Sequence, residues 1–356
     1  MRIADLQHDL RALGARPVHE QHLLRRWLHA GALDGGRRDL SCFLPRALFD
    51  ALPALRQRLN GLARLAAEHP SPDGGARLLV RLADGQAVEA TRLPRDGLCV
   101  STQIGCAVGC TFCRSGQDGL LRQLGSAEIV AQVVAARARA AVRKVVFMGI
   151  GEPSHNLDNV LEAIDVLGRF GGIGHKELVF STVGDRRAFE RLPLGPVKPA
   201  LALSLHSTRP GRRAELLPRA PRLDPAELVQ AADDYARATG YPGQVQWTLL
   251  AGVNDGDDEV EGLIGLLRGR RLMLNLIPFN AVAGSGYARP SWEVAVAMTR
   301  RLNAAGVLTR LRRSAAQDVA GGCGQLRARS AQPLDRQGPG SGVVHLARLD
   351  VDHLGA

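Results

Sequence analysis

Apolar residues recur along this chain with two periods, and the change from one to the other divides it. Over residues 1–68 the spacing is helical. Leu23-Leu24-Arg25-Arg26-Trp27-Leu28 and Ala47-Leu48-Phe49-Asp50-Ala51-Leu52 gather apolar side chains on one face with charged ones between. A small helical domain is predicted there. The stretch from His69 to Gly74 is crowded with Pro, Ser, Asp and Gly and reads as a linker. Two short strands are predicted after it, Ala76 to Leu82 and Ala87 to Leu93, joined by a turn at Asp84-Gly85, so that linker and hairpin fill residues 69–97.

From residue 98 short β-type runs alternate with longer helical ones. The predicted strands are Leu98–Thr102, Lys144–Met148, Glu177–Ser181, Ala200–Leu205, Val245–Leu250, Leu272–Ile277 and Val307–Arg312. The helices between them are Ala127–Ala138, Asn159–Arg169, Pro225–Ala238, Asp258–Leu267 and Trp292–Ala304. Such alternation predicts an α/β fold, a partial or complete (β/α) barrel over residues 98–326, with chemistry at the carboxyl ends of its strands. Residues 327–356, with Gly338-Pro339-Gly340-Ser341-Gly342, read as a flexible tail.

Polar and glycine-rich residues fall at those strand ends. Gly149-Ile150-Gly151-Glu152-Pro153, Ser181-Thr182-Val183-Gly184, Ser204-Leu205-His206 and Ile277-Pro278-Phe279-Asn280 each follow a predicted strand. Singly, each has an ordinary reading as a turn, a cap or a satisfied polar group. Their recurrence around one predicted mouth favours a shared site.

No apolar run approaches a membrane span, and Met1-Arg2-Ile3-Ala4-Asp5 lacks a signal-peptide pattern, so a cytoplasmic protein is expected. The net charge of +11 favours a polyanionic partner such as nucleic acid, and Arg25, Arg26, Arg37 and Arg38 cluster in the helical region. Only three of the 46 basic residues are lysines, however, so a codon bias toward arginine accounts for the charge equally well.

The six cysteines carry the sharpest signal. Cys42 has no partner at metal spacing and reads as a buried, small apolar residue. Cys106-Ala107-Val108-Gly109-Cys110-Thr111-Phe112-Cys113 has the spacing C-x3-C-x2-C. A structural zinc site wants a fourth ligand that does not follow, and a disulfide framework is unusual in a reducing compartment. Three thiolates can instead hold three irons of a [4Fe–4S] cluster and leave the fourth open to an exchangeable ligand.

This spacing resembles the radical S-adenosylmethionine (SAM) superfamily, in which the open iron chelates SAM. The wider set of segments resembles the RlmN/Cfr type of radical SAM RNA methyltransferases. These are the stretch Leu98 to Cys106, the cluster motif, Phe147 to Pro153, Ser181 to Gly184, Leu203 to His206, Gly252-Val253-Asn254-Asp255, Asn275 to Asn280 and Cys323-Gly324-Gln325-Leu326. The resemblance implies that Cys106, Cys110 and Cys113 bind the cluster, and that Gly151, Glu152, Ser181, Ser204, Leu205, His206 and Asn280 line the SAM site. It implies that Cys323 carries a methyl group, Cys99 is its redox partner in a transient disulfide, and Glu89 accepts a proton. The implied substrate is an adenine of 23S ribosomal RNA, methylated at C2, with tRNA as a further candidate. A reducing electron donor and a monomeric state are also implied.

C8 methylation by the same machinery, a radical SAM enzyme of other substrate and a non-catalytic iron–sulfur protein that binds ribosomal RNA are the alternatives. Three departures from the family pattern bear on the substrate. The connection Pro94-Arg95-Asp96-Gly97 is short, Gln246-Trp247 stands where the family commonly has Glu-Tyr, and Ser154-His155 replaces two leucines.

Overall fold

The computed structural model describes residues 1–37, 39–280 and 285–312. Five helices open the chain: α1 (Ile3–Ala12), α2 (Pro17–Leu28), α3 (Leu40–Phe43), α4 (Arg46–Asp50) and α5 (Leu52–Gly61). Helix α2 begins with Pro17 in its first turn, where the missing N–H costs nothing, and ends with Arg25 and Arg26 against its negative pole. Its inward face buries Leu23, Leu24, Trp27 and Leu28.

Three antiparallel strands follow, β1 (Ala63–Pro70), β2 (Ala76–Leu82) and β3 (Ala87–Leu93), and they continue into β4 (Gly97–Cys99). Strand β1 corrects the helical reading of residues 63–68 and the linker reading of 69–70; the turn is confined to Ser71–Gly75, where Ser71 and Gly75 are hydrogen-bonded. Ala63-Arg64-Leu65-Ala66-Ala67 is good helix material. Pairing with β2 along its whole length, across a bulge between Leu65 and Ala67, overrides that local preference.

After β4 comes a small separate hairpin, β5 (Gln103–Gly105) and β6 (Leu120–Gln123), with the cysteine loop between its strands. The alternating part then runs α6 (Ser126–Arg137), β7 (Lys144–Phe147), α7 (Leu157–Arg169), β8 (Leu178–Thr182), α8 (Arg186–Arg191) and β9 (Ala200–Ser204). It ends with α9 (Pro210–Leu216), α10 (Pro225–Thr239), β10 (Gly243–Leu249), α11 (Asp257–Leu267), β11 (Leu272–Pro278), α12 (Trp292–Ala304) and β12 (Thr309–Leu311). The ten-stranded sheet has the order β1-β2-β3-β4-β7-β8-β9-β10-β11-β12, parallel from β4 onward, in an open α/β arrangement consistent with a partial barrel.

Side-chain alternation separates the two faces of this sheet. Leu98, Val145, Phe147, Leu178, Phe180, Leu201, Leu203, Val245, Trp247, Leu274 and Leu276 point outward into the main core beneath the helices. Helix α6 has nine of its twelve residues buried because it packs against α2, α7 and β1, so it has no polar face to show water. The N-terminal helices close that side: the Ile3 N–H donates to the Ser126 hydroxyl at 2.7 Å and Arg137 donates to the Leu28 carbonyl at 2.8 Å. Several of their arginines are engaged locally, Arg26 with the Ala32 carbonyl and Arg11 with Glu20; Arg25 and Arg37 are exposed, and Arg38 lies outside the described residues. Cys42 is exposed rather than buried, its thiol 3.6 Å from the Asp39 carboxylate that caps α3. Among the described residues no helix is long and apolar enough to cross a membrane.

Candidate active site

The inner face of the sheet collects the residues that the sequence singles out. Register places Cys99 beside Thr91 and Val146, Val146 beside Val179, Ser181 beside Ala202, and Ser204 beside Gln246. Glu89 lies two residues before Thr91 on β3 and therefore shares this face. Glu89, Cys99, Ser181 and Ser204 thus look into one space. Glu89 is buried with Arg77 of β2, whose guanidinium stands 3.4 Å from its carboxylate.

At the carboxyl ends of the parallel strands the cysteine loop folds over a second apolar cluster. Val108, Val183, Leu216, Leu217, Leu250 and Phe279 form it, and Cys106, Cys110 and Phe112 pack against it. The loop is pinned by backbone bonds from Cys106 to the Gly119 carbonyl and from Thr111 to the Leu216 carbonyl, 2.9 and 3.0 Å. Its three thiols are partly buried. Burial pushes Cys106 up to about 12, with Glu152 and Cys113 adding to the rise, and burial with the other two sulfurs pushes Cys110 well up as well. Three thiolates in that setting call for a cationic partner, which an iron–sulfur cluster provides. Among the described residues no three His, Cys, Asp or Glu side chains converge on a single ion. A cubane spreads its thiolates over separate irons, so the match to a [4Fe–4S] cluster rests on the donor chemistry.

The loop after β7 is shaped by its glycines. Gly151 has φ 109°, and a Cβ there would fall 2.6 Å from the Gln103 side chain, so only glycine fits. The Gln103 side-chain Oε1 in turn accepts the Glu152 N–H at 2.8 Å. The Glu152 carboxylate accepts the N–H groups of Ser154 and Val183, both at 3.1 Å, and so joins the end of β7 to that of β8. The Ser101 hydroxyl donates to the Glu89 carbonyl and accepts the Ile150 N–H, tying β3 to the same loop.

His206 sits after β9 with φ 62°, an unfavourable region for a side chain of its size. Its ring nitrogen Nδ1 accepts the Thr248 N–H at 3.0 Å, and its carbonyl accepts from Asn254 at 2.8 Å. The ring meets Phe112 of the cysteine loop edge-on at 4.9 Å. Burial, with help from Arg213, holds His206 down to about 3, so the ring is neutral with the proton on Nε2. Leu205 is fully buried and donates its N–H to the Gln246 carbonyl at 3.1 Å. Asn280 follows β11 and accepts from Arg289 at 2.6 Å. Cys323 lies outside the described residues, as does its spacing from Cys99.

Two residues without an assigned role help to build the site. Asn254 is fully buried and bonds the His206 carbonyl, the Thr248 carbonyl and the Leu250 N–H, each at 2.8 Å. Its segment is part of the family pattern, yet only the structure shows what its amide does. Arg213 of α9 is buried, donates to the Val183 carbonyl and keeps its Nε without a partner among the described residues. Burial lowers it to about 10, while Cys110 and Glu152 pull the other way, so it stays charged beside the thiols. Nothing in the sequence separates it from the other arginines.

A family model described as the radical SAM superfamily matches residues 100–267, from the end of β4 through the cysteine loop to the end of α11. A probable RNA methyltransferase of Leptothrix cholodnii is 65% identical to this chain, over 95% of it and 97% of the relative. Another of Aromatoleum aromaticum is 68% identical, over 92% and 93%. The crystal structure of a radical SAM methyltransferase from Sphaerobacter thermophilus is similar with a TM-score of 0.77 and 32% identity, over 91% of this chain and 97% of that one. The chain belongs to the radical SAM superfamily, in the family of probable RNA methyltransferases that these relatives represent.

Proposed function

We propose that this enzyme methylates an adenine carbon, C2, of 23S ribosomal RNA, using a [4Fe–4S] cluster and SAM. The observation that carries the reading is that Glu89, Cys99, Ser181 and Ser204 share one inner sheet face beneath the cysteine loop. Adenine C2 is electron-poor and no nucleophile, so polar transfer from SAM cannot methylate it. Bound at Cys106, Cys110 and Cys113, the cluster together with SAM would supply a methyl group and a carbon-centred radical, which such a carbon needs.

The chain's own residues then have separable tasks. Gly151 lets the backbone come close to SAM, and Glu152, Ser181, Ser204, Leu205, His206 and Asn280 surround it. His206, neutral on Nδ1, offers its Nε2–H as a donor. Cys323 holds the methyl group to be transferred; once its carbon, one hydrogen atom short, is joined to C2, the adduct would give up one electron to the cluster, and Glu89 takes the proton that leaves C2. The Cys99 thiolate attacks the Cys323 sulfur; an S–S bond forms, the S–C bond breaks, and the released carbon takes up a proton as the new methyl group. The apolar neighbours Val146, Val179, Ala200 and Ala202 keep this space dry.

Nucleoside mass spectrometry of ribosomal RNA and tRNA from a deletion strain tests the reading. One 2-methyladenosine should vanish from 23S RNA and return with the intact gene. Loss of 8-methyladenosine instead would replace C2 by C8, loss from tRNA would move the substrate, and an unchanged inventory would overturn the proposal. A Cys99→Ala enzyme should accumulate a covalent RNA adduct that Cys323→Ala never forms.

A further inference from the structure

The inner face changes character at β10. Up to β9 its residues are mostly small and apolar, but β10 to β12 add Gln244, Gln246, Thr248, Asn275 and Arg310, followed by Arg312, alongside the apolar Met273 and Ile277. Gln244, Gln246, Asn275 and Arg312 form one hydrogen-bonded row. Gln246 Nε2 and Asn275 Nδ2 both donate to Gln244 Oε1, each at 3.1 Å, and Arg312 Nε donates to Asn275 Oδ1 at 2.7 Å. These bonds fix which end of each amide faces where. Gln246 Oε1 and Gln244 Nε2 are left as an acceptor and a donor that no described residue meets. The row starts next to Ser204, whose register partner is Gln246, and ends at β12, the last strand of the open sheet.

The outer end of the row is strongly positive. Arg310 pairs in register with Asn275 and points to the inner side, because its neighbour Leu311 packs into the outer core. Burial, then the charges of Arg310 and Arg95, holds the Arg312 guanidinium below its ordinary value. None of these three arginines has a carboxylate partner among the described residues, and the neighbouring Asp96 is taken by Arg143 at 3.3 Å. Arg95, whose charge reaches Arg312, belongs to the short connection, and Gln246 replaces the family's common glutamate, so this chain's departures from its family fall at the two ends of the row.

We propose that this wall is the nucleotide subsite of the enzyme: Gln244 and Gln246 bind the donor and acceptor edge of the target base, and Arg310 and Arg312, with Arg95, bind a phosphate beside it. An amide donor and an amide acceptor on hydrogen-bonded glutamines supply the two kinds of group that the edge of adenine requires, and unpaired bases of single-stranded RNA are read through such edges. The wall rests on the RNA reading above and says where that RNA lies.

The test uses the full-length, anaerobically reconstituted enzyme and deproteinised 23S RNA from the deletion strain, with affinity measured over a series of salt concentrations. Arg310→Gln and Arg312→Gln should each weaken binding roughly tenfold and lower the salt slope by about one. Arg186→Gln, which removes the same charge from exposed α8, should leave both unchanged. Gln246→Leu should keep the salt slope and SAM affinity but reduce kcat/KM on RNA by roughly ten- to a hundredfold. Arg310 is exposed, so its variant remains informative if Arg312→Gln loses its cluster. Wild-type affinity and slope in Arg310→Gln would overturn the phosphate site, and wild-type turnover in Gln246→Leu would overturn the base contact. Failure of the wild-type enzyme to retain any RNA would instead overturn the RNA reading itself, and this subsite with it.

Discussion

From β4 to β9 the inner face carries Cys99, Val146, Val179, Ala200 and Ala202, with Ser181 and Ser204 toward its carboxyl end; from β10 to β12 it carries Gln244, Gln246, Thr248, Asn275 and Arg310, with Met273 and Ile277 among them. The outward positions of both halves are the same kind of Leu, Val, Phe and Trp. Packing against helices sets the outward residues everywhere, so they report the fold and nothing more. The inward residues answer to what the space must hold. Small apolar side chains leave room and keep water out, which suits radical and thiol chemistry, whereas a row of amides and guanidiniums suits a polar, anionic guest.

The strongest way to break this comparison is to remove the mouth that both halves share. Replacing Cys106, Cys110 or Cys113 by Ala should abolish reductive SAM cleavage and leave the chain without its [4Fe–4S] absorption. Iron analysis after anaerobic reconstitution checks it. Stoichiometric zinc and no iron in the unsubstituted protein would remove the basis of the proposed chemistry.

Beside the apolar half, on β2 and β3, Arg77 and Glu89 form a buried ion pair, both at 4% exposure or less. Arg77→Met should destabilise the fold by about 3–5 kcal/mol, the range for breaking a buried ion pair by removing one partner. Adding Glu89→Leu should recover much of that loss. Denaturant unfolding of the single and double variants measures both. Equal stability of Arg77→Met and the parent would mean that water reaches this half, and the contrast between the halves would be lost.

Gly151→Ala acts at the boundary. A Cβ would meet the Gln103 side chain at 2.6 Å in a backbone region that L residues avoid, so about 1–3 kcal/mol of stability should go and SAM affinity with it. Thermal unfolding and SAM titration report the two losses. Unchanged SAM affinity would separate this loop from the SAM site.

The parts visible in the sequence and the parts hidden from it follow the same division. The parallel strands were legible because apolar runs such as Lys144–Phe147 and Ala200–Ser204 end in Gly or polar residues, and helix Trp292–Ala304 lies where its periodicity predicts. The cysteine loop was legible because metal chemistry imposes spacing. Strand β1 was not, since its residues favour a helix and only pairing with β2 decides otherwise. Strands β5 and β6 are too short to show a period. Arg213, Asn254 and the Gln244 row owe their roles to burial and to partners distant in sequence, which no local pattern encodes.

The smallest expected effect concerns His206, which lies between the two halves. Its Nδ1 accepts the Thr248 N–H of β10 while its ring packs on Phe112, and burial holds it down to about 3 against an ordinary 6.5. The unfolded chain therefore binds a proton at this position between those two values and the folded chain does not. Stability from His206 is fully present above pH 6.5, declines as the pH falls below it, and is lost by about pH 3. The slope approaches about 1.4 kcal/mol per pH unit once the unfolded histidine is protonated. His206→Asn keeps an acceptor for Thr248 and removes the titration, so its stability should fall less between pH 6.5 and 5 than that of the parent, with the two curves parallel above pH 7. Urea unfolding at a series of pH values reads this difference directly. Parallel curves throughout would mean that the folded protein admits a proton at His206, and the ring would then be a cation rather than a neutral donor beside the cysteine loop.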